Sequence, residues 1–228
     1  MKTKTTLISA TAFTVGAVSA PAQGIHSSNG TYYVDVPIRH GLSCLGNPLL
    51  ASDNTMNGLF FSGTNQAANP WLGATFYLWS GTGFIGVHDD TYGGGCPLCY
   101  YQLLPGTGFF AYNSGLAFTN TFAGALVQTP FTNRIGAGFS LVSSGLPLAT
   151  NVVQLGLNAQ PGDTIYTWSG SGFLGYHLDT YGAGWGSSPP PARQADVTNG
   201  PFIHVAEGFF ISNGSLAPYN WVQNFTVH

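Results

Sequence analysis

The sequence predicts an all-β protein built from two tandem, pseudo-symmetric units, each a small sandwich or barrel. Three observations lead there. One segment of the chain occurs twice, apolar residues alternate over short runs instead of recurring at helical spacing, and Gly or Pro interrupts every window long enough for a helix. Short runs rich in aromatic and β-branched residues between turn residues are what strands look like, and two such units bury their faces as sandwiches or barrels.

Taken in order, residues 1–22 read as a secretory leader. Lys2 and Lys4 precede an uncharged apolar run from Leu7 to Ala20, and Ala20 and Ala22 hold the small-residue positions before a cut after Ala22. That run is too short and too rich in threonine to span a bilayer, and no later stretch is apolar enough. The expectation is a secreted protein, extracellular or at the cell surface, without membrane insertion. Residues 23–128 form the first repeat unit and 129–228 the second. The alternating segment Gly30–Ile38 opens the first; it either packs on its own half or donates a strand to a neighbour.

The repetition itself is dense. Tyr77–Gly95 lies over Tyr166–Gly184 without a gap, with 13 of 19 positions identical. Gly41–Gly46 matches Gly138–Ser143, and Gly106–Ala117 matches Val205–Ala217, in the same order. Within each copy, "YLWSG" and "FIGVH", or "YTWSG" and "FLGYH", are short strands joined by Gly-rich punctuation, the mark of a hairpin. The order G-[FL]-S-x-[LV], [YF]-x-W-x-G-x-G-[FY], G-F-F-x-x-N resembles a duplicated β-repeat of uncharacterised secreted bacterial proteins. That resemblance implies a fold and an extracellular address, and no activity.

Composition narrows the partners. After the leader the cations are Arg39, Arg134 and Arg193, with no lysine, against eight acidic residues. Without a basic patch there is nothing to neutralise phosphates, which argues against nucleic acid and anionic membranes. Only 6% of residues are charged, but 14% are aromatic, so the chain buries a core instead of staying disordered. Its surface must then be Ser, Thr, Asn, Gln and Gly, and it lacks the charge repulsion that keeps proteins apart.

Few residues point to chemistry. Gly81–Gly86 and Gly170–Gly175 fit G-x-G-x-x-G, but a dinucleotide site needs a helix next, and here an alternating strand follows; these are turns, and no cofactor is implied. His88 with Asp90, and His177 with Asp179, share a strand face in both copies. They offer two ligands to a cation or, more simply, hydrogen bonds that close a hairpin end. Cys96 and Cys99 have no counterpart in the second copy, and export favours a local disulfide between them. Cys44 aligns with Leu141 and reads as a small apolar core residue. No nucleophile–base pair or carboxylate pair stands out among the acids, and Glu207, the only glutamate, faces Thr107.

Three functions follow from this reading. The first is a non-enzymatic structural or assembly subunit of a surface, matrix or fibre, with itself as partner. The second is a glycan-binding module in which aromatic rings stack on sugars; Trp185, in an unmatched loop, is its expected exposed platform, with Tyr92 and Tyr181 as the further candidate residues. A metal-dependent hydrolase is the remote third.

Overall fold

The computed structural model describes residues 25–61, 69–88, 99–179, 184–188, 199–215 and 217–224. The first half contains β1 (Ile25–Ser28), β2 (Thr31–Ile38), β3 (Gly41–Gly46), β4 (Thr75–Trp79), β5 (Phe84–His88), β6 (Gly108–Asn113) and β7 (Phe118–Gly124). The second contains β8 (Phe131–Ile135), β9 (Gly138–Ser143), β10 (Thr150–Asn151), β11 (Thr164–Trp168), β12 (Phe173–Leu178), β13 (Trp185–Ser188), β14 (Phe202–Ile203), β15 (Gly208–Asn213) and β16 (Tyr219–Gln223). Every pairing between these strands is antiparallel.

One sheet runs β3-β6-β4-β5, and its counterpart runs β9-β15-β11-β12 with β13 added outside. Registers agree as well as order. Gly41 pairs with Asn113 and Thr75 with His88 in the first sheet; Gly138 pairs with Asn213 and Thr164 with His177 in the second. Each sheet is backed by a smaller one, β1-β2-β7 in the first half and β8-β16 in the second.

The period of two sends successive side chains to opposite faces, so the repeated Phe-Phe pair serves two different cores. Phe109 and Phe209 turn inward, each into its own half. The first core packs Val34, Val36 and Ile38 of β2 and Phe122 of β7 against Phe76, Phe109 and Ala111. The second packs Ile135 and Trp221 against Ile165, Phe209 and Ile211. Phe110 and Phe210 turn the other way, into a third cluster between the two large sheets. Burial on both faces makes β6 and β15 the most committed strands, since each buried Phe contributes about 2–3 kcal/mol.

Each half closes one end of its core with an indole, from opposite walls. In the first half Trp71 comes from a loop and its Nε1–H donates to Asn120 Oδ1 on β7 at 2.9 Å. In the second, Trp221 sits on β16, at the place of Asn120, and donates to the Leu155 carbonyl at 2.9 Å. Asn57–Phe61 forms a π-helical turn that the short-strand pattern did not predict. Burial of Phe60 among Trp71, Phe76, Phe109 and Phe122 holds it in place.

The Gly30–Ile38 segment serves its own half. Asn29 and Gly30 both adopt positive φ, which makes the two-residue turn from β1 into β2, and β2 then pairs with β7 along seven residues. No helix among the described residues is long and apolar enough to cross a membrane.

Candidate functional site

Cys44, Phe110, Leu141 and Phe210 form the buried centre of the third cluster, with Leu42, Tyr77, Trp79, Tyr166 and Trp168 packed around them. The contacts come in counterpart pairs. Trp79 Nε1–H donates to the Phe139 carbonyl at 3.0 Å, and Trp168 Nε1–H donates to the Leu42 carbonyl at 2.9 Å. Ser143 N–H donates to the Gly106 carbonyl, and Gly46 N–H to that of Ala206, both at 2.9 Å. Gly46 and Ser143, themselves counterparts, touch each other, as do Phe110 and Phe210, so these residues lie on a pseudo-two-fold axis. The repeated Trp pair, which could have filled each repeat's own core, instead stitches one repeat to the other.

Backbones come very close here, and this is what the Gly of the G-F-F motif permits. A Cβ on Gly108 would lie 2.7 Å from the Val142 carbonyl oxygen, and one on Gly208 would lie 2.5 Å from that of Leu45. On the axis itself a Cβ on Gly46 would overlap the Ser143 side chain, so the two counterparts cannot both carry one.

Cys44 fills this seam, not the core of its own repeat, and is a free thiol. Beside it stands Glu207, bridged to Leu45 and accepting from the His204 N–H through Oε2 at 2.8 Å. Burial pushes the Glu207 carboxyl up to about 7, against the downward pull of that one hydrogen bond. Burial, and then the Glu207 charge, likewise raise the Cys44 thiol well above its ordinary value. Where Glu207 bridges to Leu45, its counterpart Thr107 bridges to Val142.

Part of the cluster reaches solvent. Phe84 and Phe173, counterparts on β5 and β12, are 48% and 45% exposed, and each touches both Phe110 and Phe210. Phe139, 48% exposed, joins them through Phe210. The result is a continuous aromatic patch across the seam. To one side of it an open groove of about 350 Å³ is lined by both repeats: Trp79 and Thr107 from the first, Asn133, Arg134, Phe139 and Ser140 from the second.

The residues singled out from sequence fare differently. Trp185 requires a correction: it is 4% exposed, because β13 pairs with β12 and turns the indole into the second core beside Val152 and Ile203. It cannot serve as a stacking platform. Tyr92, Tyr181, Asp90 and Cys96 lie outside the described residues. Cys99 is buried and disulfide-bonded. His88 and His177 each meet a Thr across the hairpin end, Nδ1 lying 2.9 Å from Thr75 Oγ1 and 3.0 Å from Thr164 Oγ1. Among the described residues no three of His, Cys, Asp and Glu group together. The first two glycines of each G-x-G-x-x-G segment sit in a hairpin turn, with Gly81 and Gly170 at φ 99° and 95°, and the third, Gly86 or Gly175, lies in the strand that follows. Arg134, Asn133 and Thr107 were not singled out, because no local pattern joins them; only the packing of one repeat on the other brings them together.

No protein-family model, curated protein or solved structure matches this chain.

Proposed function

We propose that the protein is an exported, non-enzymatic subunit that assembles with copies of itself at the cell exterior. The observation that carries this reading is the patch of Phe84, Phe139 and Phe173. Three half-exposed phenylalanines in one connected ring cluster are an unusual thing to leave in water. The occupant that fits is a second copy. The patch continues a seam in which this chain's own aromatic side chains already pack on one another, and a second copy brings the same rings to it. Sparse surface charge supports it, since little repulsion opposes association. Residues 1–22 support export, as does the resemblance to secreted β-repeat proteins, and a Cys96–Cys99 disulfide fits an oxidising compartment.

The test is the size of the purified protein by light scattering, with electron microscopy of any particles. Self-association that rises with concentration, and its loss in Phe84→Ser/Phe173→Ser with an unchanged far-ultraviolet spectrum, is the expected outcome. A monomer at every concentration would remove this reading.

A further inference from the structure

We propose that the groove beside the aromatic patch binds a carboxylated saccharide, one per chain. This goes beyond self-assembly and rests on other residues, Phe139 apart, which lines both surfaces. The groove, at about 350 Å³, is at the small end of the range for ligand sites and suits one or two sugar rings. Its walls combine what a sugar acid needs. Trp79 and Phe139 supply aromatic surface for the C–H face of a pyranose ring. Arg134 supplies a planar guanidinium that matches a carboxylate with two parallel hydrogen bonds. It is exposed, and among the described residues no acid pairs with it.

The remaining polar groups have valences left over. Asn133 spends its N–H₂ on the carbonyls of Gly106 and Ser143, at 3.3 and 3.1 Å, which fixes the amide and leaves Oδ1 as an acceptor for a sugar hydroxyl. Ser140 Oγ accepts from Gly136 N–H at 3.0 Å and keeps its own O–H to donate. Within the described fold the Thr107 hydroxyl has no partner. A groove of donors and acceptors around a cation with no acidic partner among the described residues selects a polar anion over an apolar chain end.

The pseudo-symmetry provides an internal control. At the counterpart positions Pro37 replaces Arg134, Val36 replaces Asn133 and Glu207 replaces Thr107, although Trp168 and Ser43 stand where Trp79 and Ser140 do. The cation is gone and a buried carboxyl stands where Thr107 does, so these counterpart positions offer a carboxylate no cationic partner. One site per chain follows.

The experiment titrates the purified protein with digalacturonate, with the neutral disaccharide galactobiose, and with a sulfated galactose disaccharide. Binding is read by calorimetry and tryptophan fluorescence. Light scattering in the same buffer fixes the assembly state, because Phe139 belongs to both surfaces; assembly without binding, or binding without assembly, then separates the two proposals. One equivalent of digalacturonate is expected, with galactobiose at least tenfold weaker. Arg134→Gln should lower affinity about tenfold with unchanged melting temperature, and Arg134→Lys should restore part of it. Absence of saturable digalacturonate binding, two equivalents per chain, equal affinity for the neutral or sulfated disaccharide, or full affinity in Arg134→Gln would each overturn the proposal.

Discussion

At the scale of single residues, Glu207 is the group whose state the fold alters most plainly. Its counterpart Thr107 occupies an equivalent bridge between the repeats without any charge. Burial raises the Glu207 carboxyl from an ordinary 4.5 to about 7. Between those values the folded protein holds a proton that the unfolded chain releases, so stability falls as pH rises through the window, and the loss is complete above it. The full shift corresponds to at most about 3 kcal/mol, and the partial exposure of the side chain reduces that through solvent screening. Glu207→Gln keeps an acceptor for the His204 N–H and removes the charge. The variant should therefore gain roughly 1–2 kcal/mol over the parent at pH 8 and nothing at pH 4. Denaturant unfolding of both proteins at the two pH values checks this, and parallel pH profiles would show that Glu207 does not titrate in the window.

At the scale of elements, the strands that begin with glycine carry the argument. Gly108 opens β6 and Gly208 opens β15, each where a neighbouring carbonyl leaves no room for a Cβ. Gly208→Ala would press on the Leu45 carbonyl and on Cys44 Sγ, and overpacking of this kind costs about 1–3 kcal/mol. Gly186, on β13, has nothing within 4 Å of a built Cβ, so Gly186→Ala should change stability by less than about 0.5 kcal/mol. Thermal melts of the two variants should separate clearly; equal melting temperatures would mean that the close approach at Gly208 relaxes without cost. The same elements show what was legible beforehand. The two hairpins ending in Trp-Ser-Gly were readable, because alternation and turn glycines are local signals. Asn29-Gly30 is also a local hairpin signal, and it marks the β1 strand that a reading begun at Gly30 passes over. β10 and β14 are two residues long, too short for any pattern. Trp185-Gly-Ser-Ser has little intrinsic strand preference, and pairing with β12 alone makes it β13. That pairing also buried Trp185, which its unmatched sequence had made look like an exposed loop residue.

At the scale of the whole molecule, the seam decides whether one repeat is a protein in its own right. Each half has its own core, with separate sets of fully buried residues. Each also relies on the other: Val205 and Ala206 of the second half pack on the first core, and Asn133 holds the Gly106 carbonyl of the first half. Separating the halves would uncover Phe110 and Leu42 on one, and Phe210, Leu141 and Tyr166 on the other, while stranding the indole N–H groups of Trp79 and Trp168. An apolar face of several large side chains exceeds what a soluble monomer tolerates. Residues 23–128 and 129–228 expressed singly should therefore aggregate or unfold without cooperativity, and co-expressed they should recover a 1:1 complex with the melting behaviour of the intact chain. Repeats taken from a solenoid behave differently, since there each added unit contributes a similar stacking increment. Here the contact is closed: counterparts meet on the axis at Phe110 and Phe210, and the Gly46–Ser143 pair admits only one side chain. Two identical first repeats would place glycine on both sides and leave a gap, and two identical second repeats would place serine on both sides and collide. The heterologous pair should accordingly outcompete either homodimer when the halves are mixed, measured by native mass spectrometry. Homodimers forming as readily as the mixed pair would mean that the asymmetry on the axis plays no part in joining the halves.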